Sequence, residues 1–553
     1  MSIASGRISP YLLLILLCLG LYLPGLFTLP PVDRDEPRFA QASRQMLEDN
    51  DYIRIRFQNV PRHKKPGGIY WLQAAAVAAT GTLQTHHIWP YRIPSLLGAI
   101  LSVLLIFTFG KRLFDFRTAF LGAALTASSL LLIIEAHLAT TDAMLLATAL
   151  TAQGTLGFVY VQSRKGQNVS TWTSLTFWIA QGAGILLKGP VIPFISAMTI
   201  GGLLVADRKA GWLSRLRPLP GIALVALIIT PWMISISIAT DGAFFSDAIR
   251  SDLLPKLISG HESHGFFPGY YFLLMMVTFW PGSLFAWPAL SRAWHIRSHL
   301  NIRFCLAAII PTWLAFELIP TKLPHYILPV YPFLALLTAG AILEVSDGTF
   351  DLARSKLARA GFAVWCLVVI ALSAVIVGIP WFLDKKFYPL TLWPVGIAVM
   401  LLFYFMKNIA RYRLREIIIA SVIGAVFIFG PTFQTIFPSI NSLWLSRETA
   451  KAIGQLESEF TGPPAQVVAA VYHEPSLVFH CGTDIKLLSS EQAAVYLHDF
   501  PTSIAVISND VKDKFIRKLD TLKRKARLQS AIRGFNFTKG HWVTLNLYTI
   551  APP

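Results

Sequence analysis

Residues Leu219–Ala239 read LPGIALVALIITPWMISISIA, 21 positions without a charge, and Arg215 and Arg217 stand just before them. A helix of that length rises about 31 Å, enough to cross the hydrocarbon core of a bilayer. Twelve more stretches share this character, so thirteen apolar segments occupy 10–29, 92–110, 118–139, 142–162, 171–187, 189–206, 219–239, 268–289, 304–320, 324–344, 360–380, 391–407 and 417–438. The composition agrees. Of 553 residues, 54% are hydrophobic and 14% charged, with mean hydropathy +0.55, whereas globular domains carry roughly 25% charged residues. A cytosolic multidomain enzyme, a disordered chain and a secreted disulfide scaffold are thereby excluded. The four cysteines have neither disulfide-framework nor zinc-site spacing.

Short-loop Lys and Arg orient such a chain. Connections after even-numbered segments carry 19 of them, Arg215 and Arg217 included, against six in the short connections after odd-numbered ones. The even side and the N-terminus are therefore expected in the cytoplasm, and the C-terminus outside, in a bacterial inner membrane. Most of the +18 net charge is then a topology signal, and nucleic acid is not expected as a partner. Segments five and six are separated only by Lys188-Gly189-Pro190, as in a helical hairpin or a broken re-entrant pair.

Two pieces lie beside this membrane part, residues 1–440. The first external loop, 30–91, is too long to be a passive connection. Within it Phe39, Ala42 and Met46 recur at helical spacing over Glu36–Glu48. Ile69–Thr80 is apolar but too short to span and is expected along the interface. Residues 445–553 form the second piece, with strand-like runs at Gln466–Tyr472 and Ser503–Ser508 that suggest a small external α/β domain. Its basic stretch from Lys512 to Arg533 suits a solvated helix face, or alternatively anionic lipid headgroups.

Candidate chemistry gathers on the expected external side. The first loop opens Asp33-Arg34-Asp35-Glu36-Pro37-Arg38 and later carries Pro61-Arg62-His63-Lys64-Lys65-Pro66. Acids at a helix start commonly complement its dipole, and a basic run is commonly a solvated loop. Other external rims add Glu135, His137 and Asp142; Lys188; Arg250, Lys256, His261, Glu262 and His264; and Glu317, Lys322, His325 and Tyr326. Taken singly, each has a structural reading as good as its functional one. Their accumulation on one face suits a reaction on an anionic, lipid-linked substrate. Lys and Arg hold a phosphate leaving group, and a carboxylate acts as base, orients an acceptor or binds a metal. No phosphate-binding or dinucleotide glycine loop is present.

These motifs in order resemble the polyprenyl-phosphate-sugar-dependent membrane glycosyltransferases of the protein O-mannosyltransferase superfamily, most closely the bacterial aminoarabinose lipid A transferases. The matching pieces are Asp35-Glu36-Pro37-Arg38-Phe39-Ala40, Lys65-Pro66 before Tyr70-Trp71-Leu72, Thr141-Asp142-Ala143-Met144-Leu145, Leu187-Lys188-Gly189-Pro190, and Lys322-Leu323-Pro324-His325-Tyr326. The resemblance implies a polytopic α-helical GT-C-type fold of about thirteen spans, with external interfacial helices and a small C-terminal α/β domain. It implies Asp35 as the acid that orients or deprotonates the acceptor, with Glu36 supporting it. Lys65, Lys188 and Lys322 would hold the donor phosphate, and Arg38, Tyr70, Asp142, His325 and Tyr326 would line the substrate cavity. The expected partners are membrane lipids, a polyprenyl-phosphate-linked sugar and a lipid A or other envelope-glycan acceptor. The expected outcome is inverting transfer of 4-amino-4-deoxy-L-arabinose, no cofactor being implied beyond an open divalent-metal question. Aminoarabinose transferases can have Glu directly before the Lys-Pro pair, where Lys64 stands here; a metal site that used that acid is then doubtful, and room is left for another hexose or a uronic acid, transferred to lipopolysaccharide core or protein. A lipid flippase is the competing class; it calls for polar groups near midplane, whereas here they collect at the rim.

Overall fold

The computed structural model describes residues 9–255, 266–348, 356–411, 413–458 and 465–550. Lys256, His261, Glu262 and His264 lie outside these. Each of the thirteen apolar stretches contains helix. Eight helices among the described residues are long and apolar enough to cross a membrane, and a ninth span arises if Phe116–Ser128 and Leu130–Ala136, which meet at 60°, are one. The other stretches are shorter or interrupted. Segment 268–289 is divided into Tyr270–Thr278, Gly282–Leu284 and Ala286–His295, because Pro281 cannot donate to the helical ladder. The chain is thus a multi-pass α-helical membrane protein.

The fifth and sixth stretches are the helices Thr171–Lys188 and Val191–Asp207. The Gln181 amide donates to the Ser196 hydroxyl at 2.8 Å, and these positions are symmetric about the break. Asp207, at the far end, pairs with Arg164 at 2.8 Å and with Arg303. The two helices therefore form an antiparallel hairpin, not a re-entrant break. Gly189 makes its turn with φ of +68°, a conformation that favours glycine.

The first loop begins with α2 (Asp35–Glu48), following α1 (Pro10–Tyr22), and continues into α3 (Gly68–Thr80) and α4 (Trp89–Leu113). Phe39, Ala42 and Met46 are buried as the spacing predicts, yet so is most of the opposite face. That second burial has a source the periodicity does not contain: the C-terminal domain lies on α2. The Gln41 amide donates to the Thr483 hydroxyl at 2.6 Å, and the Thr483 hydroxyl donates to Glu48 at 2.7 Å. Between α2 and α3 the hairpin β1 (Arg56–Phe57) and β2 (Val60–Pro61) turns the chain, and Gln58 donates to the carbonyls of Thr483 and Ile485.

The C-terminal domain is built on β3 (Val467–Ala470), β4 (Lys486–Leu488), β5 (Ile504–Ser508), β6 (Ala526–Asn536) and β7 (His541–Ile550), in spatial order β4-β3-β5-β7-β6. The first three are parallel, and β7 is antiparallel to both its neighbours. Alternation along the strands divides the core. Val467, Ala469, Ile504 and Val506 pack on one face with Leu445, Ile453 and Leu477, while Val468, Ala470, Ala505 and Ile507 pack on the other with Leu497, Phe515 and Leu519. Two of these strands are the runs anticipated from sequence. The β6–β7 hairpin takes up the end of the basic stretch, where an edge strand's exposed cations hide its period of two.

Candidate active site

Site geometry begins with the ends of α2, α4 and the helix Asp142–Arg164, which converge beneath the first loop. Arg92, the fourth residue of α4, is fully buried. Its guanidinium donates to both oxygens of Glu36, at 2.7 and 3.0 Å, and to the carbonyls of Leu26, Leu29 and Pro30. Glu36 also accepts from the backbone N–H groups of Val32 and Ala139, each at 2.8 Å. Such a bidentate, fully hydrogen-bonded pair satisfies two charges that burial would otherwise leave very costly. It fixes the entry of α2 against two other elements, and the next residue back, Asp35, is left facing outward with its side chain 63% exposed.

Asp35 looks into a polar cavity of about 240 Å³, whose wall includes Asp33, Arg62, Lys64, Lys65, Glu135, Asp142, Lys188, His325 and Tyr326. Its carboxylate lies 3.9 Å from both Arg38 and Arg62. Arg62 is held over the Phe39 ring, 5.2 Å from its centre, and donates to the Tyr70 hydroxyl at 3.3 Å. On the opposite wall the Lys188 ammonium donates to Asp142 at 2.5 Å and lies 5.6 Å from the centre of the Tyr326 ring. His325 bridges two acids, 3.7 Å from Glu135 and 3.9 Å from Asp142.

An apolar cavity of about 550 Å³ adjoins this one, lined by Phe194, Ile229, Trp232, Met233, Phe244 and Phe316 among others. Lys64, Lys65, Asp142, Lys188, His325 and Tyr326 border both. The boundary is set by close packing: a Cβ on Gly68 would fall 2.6 Å from the Leu186 carbonyl oxygen, so only glycine lets α3 approach the end of Thr171–Lys188 and bring Lys65 to Lys188. The arrangement offers a cationic seat for a phosphate between a polar compartment and a greasy one, with Asp35 across the polar side.

Of the residues expected at the site, Lys65, Asp142, Lys188, His325 and Tyr326 share this wall, Asp35 faces them across the polar cavity, and Arg38 stands beside Asp35. Three are placed differently from these. Glu36, expected to support Asp35, spends both oxygens on Arg92 and two backbone N–H groups, so its support is positional. Tyr70 is buried against Phe39 and borders neither cavity; it reaches the site through Arg62. Lys322 is 2% exposed, and its ammonium donates to the Ile319 carbonyl at 2.9 Å. Its neighbours Thr321 and Leu323 line the polar cavity, whereas it does not. The motif shapes the rim, and its lysine is a turn-closing group.

Arg92 joins the site only in three dimensions, and Arg62 and Asp33, present in the first-loop motifs, acquire particular contacts there. A lone Arg at the start of an apolar span was the available signal for the first. Asp33 lines the polar cavity and reaches the C-terminal domain, accepting from the Ser476 N–H at 2.8 Å and from its hydroxyl. Burial pushes its carboxyl up to about 7, against the lowering effect of the Ser476 bonds. Among the described residues no three His, Cys, Asp or Glu side chains converge as metal ligands. The acids Glu36 and Asp142 are held by Arg92 and Lys188.

Comparison with known proteins agrees with the geometry. The family described as dolichyl-phosphate-mannose-protein mannosyltransferase matches residues 64–234, which run from the Lys64–Lys65 wall to Trp232 of the apolar cavity. An undecaprenyl phosphate-alpha-4-amino-4-deoxy-L-arabinose arabinosyl transferase of Erwinia tasmaniensis is 28% identical over 353 residues, 63% of this chain and 61% of the relative. A second transferase of that name, from Pseudomonas fluorescens, is 28% identical over 56% of this chain and 55% of its own length. The chain thus spans about three fifths of the length of these relatives. In three dimensions it is similar to ArnT from Cupriavidus metallidurans, solved bound to undecaprenyl phosphate, with TM-score 0.70, 18% identity and 97% of each chain covered. The Archaeoglobus fulgidus oligosaccharyltransferase follows at TM-score 0.52 and 13% identity, over 98% of this chain and 74% of the other. The structural likenesses establish the fold, and the sequence likenesses establish the resemblance to polyprenyl-phosphate-sugar transferases.

Proposed function

We propose that the protein is an inverting glycosyltransferase that moves a sugar from a polyprenyl-phosphate donor to an envelope acceptor, with 4-amino-4-deoxy-L-arabinose the sugar and lipid A the acceptor. The observation that carries this reading is the shared wall: Lys65 and Lys188 stand where a polar and an apolar cavity meet. A polyprenyl-phosphate sugar has that same sequence of chemistry. Its first isoprene units occupy the apolar side, its phosphate the cationic boundary, and its sugar the polar cavity.

In the reaction an acceptor oxygen attacks the anomeric carbon from the face opposite the phosphate, and the bond from that carbon to the phosphate oxygen breaks. Asp35 orients the acceptor and takes its proton where it is a hydroxyl. Negative charge grows on the departing phosphate oxygen, and Lys65, Lys188 and Arg62 stabilise it, an effect strengthened by the low dielectric around the cavity. The first loop and C-terminal domain lie on the external face of the bacterial inner membrane, where a lipid-linked donor is the available source of activated sugar.

The protein in nanodiscs, incubated with undecaprenyl-phosphate aminoarabinose and lipid A, is expected to yield aminoarabinosylated lipid A by mass spectrometry, in amounts set by added donor. Movement of donor between leaflets without a glycosylated product would identify a flippase instead. A second reading, transfer of a uronic acid, draws support from Lys64 on the shared wall, a cation suited to a sugar carboxylate. Product from a uronosyl donor and none from the aminated donor would establish it.

A further inference from the structure

The acids around the polar cavity differ in how they are paired. Asp142 is bound by Lys188, Glu36 by Arg92 and Asp33 by Ser476, while Asp35 lies 3.9 Å from two arginines. Asp33 has two Ser476 donors in place of a cation, and Glu135 has neither such a pair of donors nor a Lys or Arg partner in contact. Among the described residues no Lys or Arg nitrogen comes within 4.0 Å of it. It meets the Thr140 hydroxyl, which donates to it at 3.1 Å, and the His325 ring at 3.7 Å. The side chain is 5% exposed, and it lines the cavity. A carboxylate so far out of water is costly unless a cation or several donors meet it.

Its backbone is held firmly enough for this to be a built feature. Glu135 sits in the last turn of Leu130–Ala136, just past the 60° bend from Phe116–Ser128. Two residues on, the His137 ring lies within 2.7 Å of the carbonyls of Ile133 and Pro24, and it stacks on Phe433. The carboxylate is also close to the donor end of the cavity, because His325 links it to Asp142 and hence to Lys188.

The Lys188 ammonium acts on Glu135 from beyond direct contact, and a ligand completes such a site by bringing a cation into contact. An aminosugar carries an ammonium, a hexose is neutral, and a uronic acid would set a second carboxylate against Glu135. We infer that Glu135 selects the donor sugar, its carboxylate pairing with the ammonium of a 4-amino sugar while Lys65 and Lys188 hold the phosphate. This rests on the proposed glycosyl transfer and adds to it the residue that reads the amine. Selection then works in both directions: the aminated donor gains a charge-assisted hydrogen bond inside a low-dielectric cavity, and the acidic donor is repelled.

The test uses the full-length protein in nanodiscs with three undecaprenyl-phosphate pentose donors that differ only at C4, bearing an amine, an N-formyl group or a hydroxyl. The quantity read is the ratio of kcat/KM for the aminated donor to that for the hydroxyl donor. Wild type is expected to favour the aminated donor by ten- to hundredfold, with the N-formyl donor ranked beside the hydroxyl one. Glu135→Gln is expected to bring the ratio near unity, and Glu135→Asp to retain part of the preference. An unchanged ratio in Glu135→Gln overturns the assignment, because simple structural damage would lower both donors together. A wild type that transfers the hydroxyl donor as well as the aminated one also overturns it while leaving glycosyl transfer standing. No transfer from any lipid-phosphate donor removes the functional reading and this inference with it.

Discussion

Changing Glu36 to Gln is the sharpest perturbation of the buried lock behind Asp35. Glu36 receives four hydrogen bonds, two from Arg92 and one each from the N–H groups of Val32 and Ala139. A glutamine keeps one acceptor oxygen and turns an NH2 donor toward groups that are themselves donors. Removing one partner of a buried ion pair costs about 3–5 kcal/mol, because the remaining charge is stranded. Arg92 keeps its bonds to three carbonyls, which argues for the lower end, about 3 kcal/mol. That loss falls on the entry of α2, next to Asp35, whereas Lys65 and Lys188 belong to other elements. Misplacing a reacting group by about 1 Å lowers rate on the order of 100-fold. Glu36→Gln is therefore expected to lower kcat by about that factor, with donor KM little changed and α2 exchanging its amide hydrogens faster. Transfer kinetics in nanodiscs with hydrogen exchange over residues 32–48 measures both. A kcat within about threefold of wild type, against that hundredfold expectation, would refute the claim that the pair positions Asp35.

Other expectations follow from the same geometry. Lys65→Ala is expected to raise donor KM about tenfold or more, read by donor titration, since a charge-assisted phosphate contact is lost. Lys322→Ala is expected to leave donor KM near wild type and to lower thermal stability instead, because its ammonium serves the Ile319 carbonyl. Gly68→Ala, which sets a Cβ against the Leu186 carbonyl, is expected to raise donor KM by separating Lys65 from Lys188. Asp33 predicts a pH dependence for the seating of the C-terminal domain. Its carboxyl titrates near 7 when buried against Ser476 and at 3.8 when free, so the seated state keeps a proton that the released state gives up. Seating is strongest below about pH 4, weakens by up to about 4 kcal/mol as pH rises to 7, and is flat above. Hydrogen exchange over residues 474–481 across pH 4–8 should show this slope, and Asp33→Asn should abolish it.

Much of the membrane architecture was legible because a span announces itself by composition alone: Leu219–Ala239 needs no neighbour to be recognised. The hairpin at Gly189 was not, since Lys188-Gly189-Pro190 suits either a turn or a break, and the choice depends on Gln181 finding Ser196. At the site, residues of one motif separated according to partners that no motif contains. Asp35 and Glu36 are adjacent, yet Arg92 draws one into the interior and leaves the other to the cavity. Lys322 and His325 belong to one run, yet only the imidazole reaches the wall. Spacing predicted the buried face of α2 correctly and could not predict its second burial, which comes from the segment around Thr483, more than 400 residues away in the chain. Arg92 itself looked like the end of a span, because its three carbonyl partners come from the turn after α1.

The central claim is that the polar cavity beside Lys65 and Lys188 is the reaction chamber and that Asp35 acts in it. Its most direct test is the single-turnover transfer rate of Asp35→Asn on lipid A in nanodiscs saturated with undecaprenyl-phosphate aminoarabinose. A general base contributes on the order of 10²–10⁴ in rate. The expected result is a fall of at least about 100-fold with donor still bound at wild-type affinity. Transfer at the wild-type rate would contradict the assignment of this cavity as the site of catalysis.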